Sequence, residues 1–230
     1  RSTLFPYTTL FRSFMKKFCL SYSSGKDCLL AMDRLVQAGN QPVALVTTLS
    51  DEINRSWFHG IPISVLEAAA EALDLPLVIS HNNETNYTEK VVEALQETKK
   101  LGAETVCFGD IDIEQNGAWD RQVALSAGLE PQLPLWQENR EALVKEFLAK
   151  GYTAIIKTVS KEAGIPIKFL GEPLNETFIT YLKEHQLDIC GENGEYHTLV
   201  IDGPLFKKRL NYYTSGIYES PYAYSLIIDA

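Results

Sequence analysis

Residues 19–32 read CLSYSSGKDCLLAM, in which an apolar run is followed by a turn of small and polar residues and then by an apolar pattern of helical period. The run predicts a β-strand over residues 17–22, and the pattern predicts a helix over residues 27–38. Such a turn directs backbone N–H groups and the positive end of the helix dipole at one point, which suits a phosphate group. It is not a Walker A loop, and a helix-capping turn without a ligand remains the alternative.

The same alternation continues along the chain. Short strand-like runs separated by longer helical patterns are typical of βαβ units, in which helices cover both faces of a parallel sheet. We therefore expect an α/β fold with a doubly wound parallel sheet over residues 15–135, and ligands at the carboxyl ends of its strands. The further strand-like runs are residues 42–48, 76–80, 104–109 and 130–133, and the helical patterns between them are residues 63–73, 87–101 and 115–127.

Beyond residue 134 the pattern changes. Two helical patterns, residues 140–150 and 176–186, enclose a strand-like run at 153–159, and β-rich runs joined by Gly, Pro and Ser follow Cys190. This arrangement predicts a smaller α+β C-terminal, substrate-binding domain over residues 136–230. Residues 1–14 do not join either pattern, and we interpret them as a non-native leader, with Met15 as the natural start.

The composition excludes several classes of protein. A net charge of −9 and a pI near 5.0 argue against a broad nucleic-acid-binding surface. The four cysteines have no CxxC or other zinc-like spacing, which indicates a reduced interior and a cytoplasmic location. Since no stretch approaches the ~18 apolar residues needed to cross a bilayer, we expect no membrane association.

A second group of polar residues lies near the C-terminus. Residues 190–206 read CGENGEYHTLVIDGPLF, which places Glu192 and Glu195 in a Gly-rich turn just before a strand. Carboxylates in such a turn can bind Mg²⁺, accept hydrogen bonds from an ammonium ion or act as a base. A solvated acidic turn is the alternative, and His197 taken singly is more typical of a strand histidine than of a catalyst.

Both segments resemble known signatures. The turn SSGKDC resembles the SGGKDS loop of the N-type ATP pyrophosphatases, the PP-loop enzymes that cleave ATP between the α and β phosphates. Residues 190–206 are similar to the C-terminal signature of the diphthine ammonia ligase family, a branch of that superfamily, in the form ENGE[FY]HT, which looks bacterial. FGDI at 108–111, Arg121 and PLW at 134–136 resemble family positions between the two signatures, so the resemblance runs from about residue 16 to 206.

The resemblance implies an adenine nucleotide alpha hydrolase-like fold and an ATP-dependent carboxylate–ammonia ligase. ATP, with Mg²⁺, would adenylate a carboxylate, pyrophosphate would leave, and ammonia would displace AMP to give an amide. The expected partners are ammonium and a small-molecule or protein-borne carboxylate. The translation elongation factor that carries diphthine is expected only if the source organism makes diphthamide, and a homodimer is one option for the assembly.

The resemblance also assigns residues. Lys26, Glu192 and Glu195 would be catalytic, while Asp27 and Asp110 would bind the metal. Ser24 stands where the family has Gly, so that its Cβ would crowd the phosphate, and Cys28 replaces a Ser and removes a hydroxyl donor. The residues expected to contact the nucleotide are Ser23, Ser24, Gly25, Lys26, Asp27, Cys28, His59 and Asp110.

Two other functions fit parts of the sequence. A PP-loop tRNA sulfurtransferase would need a reactive cysteine pair and a basic face for RNA, neither of which the sequence favours. A non-catalytic sensor that binds ATP without turnover would be explained by the two departures from the family loop, at Ser24 and Cys28.

Overall fold

The computed structural model of the protein describes residues 15–57 and 59–230, and the leader predicted for residues 1–14 lies outside them. Up to Ala149, strands and helices alternate as predicted, each within two residues of the expected bounds. The strands are β1 (Lys17–Ser21), β2 (Gln41–Ser50), β3 (Leu77–Asn82), β4 (Thr105–Cys107) and β5 (Glu130–Gln132). The helices are α1 (Lys26–Gln37), α2 (Ile63–Leu73), α3 (Tyr87–Lys100), α4 (Glu114–Ser126) and α5 (Arg140–Ala149).

These five strands form one parallel sheet in the order β3-β2-β1-β4-β5, so the prediction of a doubly wound sheet is confirmed. Successive residues of β1 point to opposite faces: Phe18 and Leu20 join the core under α1, α2 and α5, whereas Cys19 joins the core under α3 and α4. The strand order reverses between β1 and β4, which brings the turn after β1 to the topological switch point.

The C-terminal part forms a second, antiparallel sheet in the order β7-β6-β9-β8. Residues 153–159 were predicted to be a strand and residues 176–186 a helix, and both elements form. α6 and a short 3-10 helix, which the sequence pattern does not predict, contribute Phe178 and Phe169 to the same core as this sheet. The elements are β6 (Thr153–Ser160), the 3-10 helix (Ile167–Phe169), α6 (Glu176–Glu184), β7 (Tyr196–Asp202), β8 (Tyr213–Glu219) and β9 (Ala223–Asp229).

The two sheets share a hydrophobic core. One contiguous cluster of buried residues runs from Phe18 and Leu20 in the parallel sheet through Phe147 in α5 to Leu199 and Ile228 in the antiparallel sheet. Because a side chain in either part is buried partly by the other part, neither sheet can expose its inner face without a loss of hydrophobic free energy. Among the described residues, no helix is long and apolar enough to cross a membrane.

The shared core predicts that the full chain unfolds in a single cooperative transition. Differential scanning calorimetry should give one endotherm, with a van't Hoff enthalpy that matches the calorimetric enthalpy. Two resolved transitions would contradict this prediction and would mean that residues 15–135 and 136–230 are separate units of stability.

Candidate active site

The turn after β1 is hydrogen-bonded to β7 of the other sheet. The Ser24 carbonyl accepts a hydrogen bond from the Val200 N–H at 2.9 Å, and the Lys26 N–H donates to Thr198 Oγ1 at 3.0 Å. Lys26 Nζ also donates to the Cys190 carbonyl. The two sequence segments singled out for their chemistry are therefore one structural unit, since each supplies hydrogen-bond partners for the other.

Ser24 occupies a conformation that favours glycine. Its φ of +67° lies in the left-handed region, which costs a non-glycine residue about 1 kcal/mol. Its side chain is fully buried, and Oγ donates to the Ser23 carbonyl. Ser24 does not line the cavity described below, so the substitution of the family glycine strains the backbone instead of narrowing the cavity.

Two glycines let other segments approach this turn closely. A Cβ on Gly25 would lie 2.6 Å from His59 Cε1, so only glycine allows the imidazole to rest against the turn. A Cβ on Gly109, which follows β4, would lie 2.7 Å from the backbone nitrogen of Cys28. The loop after β4 is thereby held against the first turn of α1.

A cavity of about 430 Å³ opens where the two sheets meet at the carboxyl ends of β1, β2 and β4. Most of the residues predicted for the site line it, whereas Ser24, Gly25 and Glu195 are not among its lining residues. The predicted residues that the structure brings together around the cavity are Ser23, Lys26, Asp27, Cys28, His59, Asp110 and Glu192.

Carboxylates crowd the side of the cavity next to α1. One ligand atom each from Asp27, Cys190 and Glu192 lies within 4.8 Å of the others, a spacing suited to a metal ion. Burial, and after it the negative charge of Asp27, raises the pKa of Glu192 to about 7. Burial also raises the pKa of the Cys190 thiol, which keeps it protonated, so the ionisable donors of this group are the two carboxylates. Oxygen donors of this kind fit a hard cation such as Mg²⁺.

Asp110 lies apart from this group and interacts with Asp120 of α4. Burial, followed by the charge of Asp110, raises the pKa of Asp120 to about 9, and burial also raises the pKa of Asp110. The pair therefore shares one proton at neutral pH, with Asp120 as the protonated partner. Asp110 thus faces the cavity as a hydrogen-bonded carboxylate outside the group with metal-ligand spacing.

Lys26 and Glu195 hold the two segments in place. Lys26 Nζ forms an ion pair with Asp27 Oδ2 at 2.8 Å and lies 5.3 Å from the centre of the Tyr196 ring. The Glu195 carboxylate turns back into its own loop, where it accepts hydrogen bonds from the Asp188 N–H at 3.2 Å and the Asn193 N–H at 3.1 Å. The catalytic roles expected of Lys26 and Glu195 stay predictions.

The cavity becomes apolar toward α3 and α4. Val91 and Leu95 of α3 line it together with two aromatic residues, Tyr87 and Trp119, whose ring centres are 5.7 Å apart. An aromatic and aliphatic wall beside a polar turn is the arrangement that suits a planar heterocycle with a charged extension.

Basic side chains cluster around His59, which packs against Gly25 of the turn. The rings of His59 and His197 are 4.6 Å apart. Burial, and next the neighbouring His197, holds the pKa of His59 well below its usual range. Burial also lowers the pKa of His197 to about 4 and that of Lys157 to about 8. At neutral pH this side of the site therefore carries two neutral imidazoles and one ammonium group.

Sequence reasoning missed several of these residues. Thr198 was visible only as part of the resemblance, and nothing in the spacing of Asp120 or Trp119 marks them. Lys157 did carry a signal, because it is the one charged residue in the apolar run TAIIKTV at 153–159. His197, interpreted as a strand histidine, lines the cavity.

A parallel sheet with its ligand cavity at the switch point, and a Ser/Gly/Lys/Asp turn that caps a helix there, defines a nucleotide-binding α/β protein of the PP-loop type. The sequence comparisons make this class specific. The family model described as the diphthamide synthase N-terminal domain matches residues 15–131, and the diphthamide synthase C-terminal domain matches residues 139–221. The chain belongs to the diphthamide synthase family, and the resemblance inferred from the two motifs is confirmed.

Curated relatives agree with this assignment. Proteins named diphthine–ammonia ligase from Rattus norvegicus and Bos taurus are 33% and 31% identical to the chain over 212 residues, which is 82% of this chain and 79% of each relative. The human protein of that name is 31% identical over the same share of each chain. A solved structure described as a predicted subunit of tRNA methyltransferase from Methanocaldococcus jannaschii aligns with 84% of this chain and 99% of that chain. The TM-score is 0.42 and the sequence identity 16%, which is too low a similarity to support an inference.

Thr198→Val tests the hydrogen bonds between the turn and β7. Valine has the same shape but cannot accept the Lys26 N–H, so a buried donor is left unpaired, and we expect the free energy of unfolding in urea to fall by about 1–3 kcal/mol. We also expect weaker ATP binding, since the first turn of α1 is displaced. Thr158→Val is the matched control, because it removes a hydroxyl of the same sheet that pairs with Ser225 and not with the turn. ATP affinity that is equal in both variants would contradict the prediction.

Lys157→Met tests the cost of the buried ammonium group. Burial lowers the pKa of Lys157 from its ordinary value of 10.5 to about 8 in the folded chain. Between these two pH values the unfolded chain therefore binds more protons than the folded chain, and the free energy of unfolding rises with pH. Below the folded-state pKa the full free-energy cost of burying the charged ammonium group, on the order of 3 kcal/mol, applies. We therefore expect Lys157→Met to be more stable than the wild type at pH 7 and the difference to shrink toward pH 10.5. A difference that does not vary with pH in urea titrations would contradict this origin.

Proposed function

We propose that the chain uses ATP to activate a substrate carboxylate in this cavity and then transfers the acyl group to ammonia. One observation carries the proposal: the turn after β1 and the segment around Thr198 close around a single cavity. The hydrogen bond between Lys26 and Thr198 joins them, although these two residues are 172 positions apart in the chain. That cavity combines a helix N-terminus, a pair of carboxylates with metal-ligand spacing and an aromatic wall.

Membership of the family makes the chain an ATP-dependent, amide-forming ligase. Its reactants are ATP, a small or protein-borne carboxylate, and ammonia. The named relatives act on diphthine, which makes diphthine one candidate for the carboxylate, with an elongation factor as its carrier where diphthamide is made. A small carboxylate is the other candidate, and a homodimer stays a prediction.

The proposed reaction has two balanced steps. In the first, a carboxylate oxygen forms a bond to the α-phosphorus of ATP while the bond to the bridging oxygen breaks, so that pyrophosphate leaves with the electron pair. In the second, the ammonia nitrogen forms a bond to the acyl carbon, the bond from that carbon to the AMP oxygen breaks, and one proton is released. The products are an amide, AMP, pyrophosphate and a proton.

The turn and the carboxylates divide the binding of the phosphates between them. The first turn of α1 and the Ser23 hydroxyl would donate hydrogen bonds to the leaving pyrophosphate, where the helix dipole favours negative charge. Asp27 and Glu192 would hold Mg²⁺, which neutralises phosphate charge when bound. Glu195 would keep Glu192 in place through the hydrogen bonds within their turn, while Lys26 would fasten that turn to α1.

The nucleoside would occupy the apolar part of the cavity. Tyr87 and Trp119 offer an aromatic wall for adenine, and Asp110 lies beside it as an acceptor for a ribose hydroxyl. In this arrangement residues 15–135 bind the nucleotide, and residues 136–230 complete the site and bind the carboxylate.

Sulfur transfer is disfavoured by the cysteines. All four are buried, and burial raises the pKa of Cys19 and of Cys28 to about 11. Burial raises the pKa of Cys107 and Cys190 as well. Because the thiolate is the nucleophile in persulfide chemistry, none of the four is suited to carry sulfur at neutral pH.

The reaction products test the proposal. The protein is incubated with Mg²⁺, ammonium and α-³²P-labelled ATP, together with a diphthine-bearing elongation factor or a panel of small carboxylates. We expect AMP and pyrophosphate to form only when a carboxylate is present. Release of ADP and phosphate would contradict the proposal, and ATP binding without any turnover would favour the sensor.

Glu192→Gln tests the carboxylate pair. The neutral amide is a weaker ligand for a divalent cation than the carboxylate, so we expect AMP formation to fall by at least about tenfold. Glu184→Gln is the matched control, because Glu184 is an exposed residue at the end of α6 and does not line the cavity. Equal rates for the two variants would remove Glu192 from the reaction.

A further inference from the structure

Four side chains that carry nitrogen cluster near the turn: Arg55, His59, Lys157 and His197, which we call the basic corner. His59 and His197 line the cavity. Lys157 of β6 is close to both histidines but is not among the lining residues, and Arg55 lies in the segment between β2 and α2, with Nη1 donating to the Gly60 carbonyl at 3.3 Å. The proposed roles of the turn and the carboxylates use none of these four residues.

The backbone directs Lys157 into this corner. The pairing of β6 with β7 is regular from Ala154 to Ile156, which lies opposite Thr198, and shifts before Thr158, which pairs with His197, so that Lys157 sits in a β-bulge. Bulges next to active sites commonly redirect one side chain. Here Lys157 Nζ lies 3.5 Å from the position that a Cβ on Gly60 would occupy, next to His59 in the chain.

Lys157 lacks a negative partner among the described residues. Lys157 is 3% exposed, and no carboxylate of the described chain lies within ion-pair distance of its ammonium group. His59 Nδ1 is buried and has no hydrogen-bond partner among the residues that the structure describes. Burial of an ammonium group without an ion-pair partner, and of an imidazole nitrogen without a hydrogen-bond partner, destabilises the folded chain. Such unpaired buried groups are typical of ligand-binding sites.

We propose that the basic corner binds the substrate carboxylate, with Lys157 as its counter-ion and His59 and His197 as hydrogen-bond donors. This inference rests on the proposed function and extends that function by locating the substrate carboxylate that is activated. His59 Cε1 is close enough to the turn that only glycine fits at residue 25, so a carboxylate beside His59 also lies beside the phosphate-binding turn. That adjacency is what attack on the α-phosphorus requires.

The charges in the cavity favour one carboxylate over a polyphosphate in the corner. Because burial lowers the pKa values of both histidines, Lys157 is the one of these three side chains that carries a full positive charge at neutral pH, and it balances one carboxylate, whereas the Arg55 guanidinium faces the Gly60 carbonyl. Pyrophosphate carries several negative charges and needs a divalent cation, and the carboxylates suited to hold that cation, Asp27 and Glu192, are not part of the corner.

The histidines make the corner observable without turnover. The chain contains four histidines, of which His81 and His185 are exposed and distant from the cavity. The imidazole ¹H–¹³C NMR signals are assigned with His81→Gln and His185→Gln and are then followed in the full-length protein during titration with sodium acetate, at constant ionic strength and pH 7. We expect saturable shifts of His59 and His197 alone, and no shift with acetamide, which has the same shape without the charge.

Lys157→Met separates binding from structural support. We expect acetate affinity to fall by about tenfold or more, because the counter-ion is removed, while affinity for MgATP stays within about twofold. Lys161→Met is the matched control, since Lys161 follows β6 at the surface and pairs with Glu219 at 2.6 Å. It should leave both affinities unchanged.

Several outcomes would overturn the inference. Shifts caused by magnesium pyrophosphate but not by acetate would assign the corner to the phosphates, and equal shifts of all four histidines would show non-specific binding. Full ligase activity in Lys157→Met would also reject it. Acetate binding in a protein that forms no AMP with any carboxylate would instead sink the proposed function alone, because the titration contains no ATP.

Discussion

The hydrogen bonds between the turn after β1 and strand β7 are the constraint on which the site depends. A phosphate-binding turn needs its N–H groups to point at the ligand, and here part of that geometry is fixed by Val200 and Thr198, which belong to the other sheet. The 190–195 loop is fixed in return, because the Cys190 carbonyl binds Lys26. Neither the anion-binding end of α1 nor the acidic loop is complete without its partner.

The same constraint explains the close packing behind the turn. Gly109 lets the loop after β4 touch the first turn of α1, and that contact places Asp110 at the edge of the cavity. The left-handed Ser24 is tolerated since its carbonyl is bound by Val200 and its side chain is buried. Local strain at this turn is thus balanced by long-range hydrogen bonds, as is common where backbone must meet a ligand.

Much of the fold could be predicted from the sequence because it follows from local patterns. Hydrophobic period located α1 and α2 to within a residue, and their alternation with apolar runs implied the parallel sheet. The motifs located Asp27 and Glu192 by resemblance. Asp120, Lys157 and His197 depend on which elements meet across the cavity, and this information is not local: the role of Lys157 arises from a bulge in β6, and that of Asp120 from its contact with Asp110.

The basic corner has a consequence for turnover. Lys157 attracts a carboxylate because of its charge, and the conversion of that carboxylate to an amide abolishes the charge. The amide leaves the buried ammonium group uncompensated again, so the enzyme holds its product less tightly than its substrate. The same buried lysine therefore favours both substrate binding and product release.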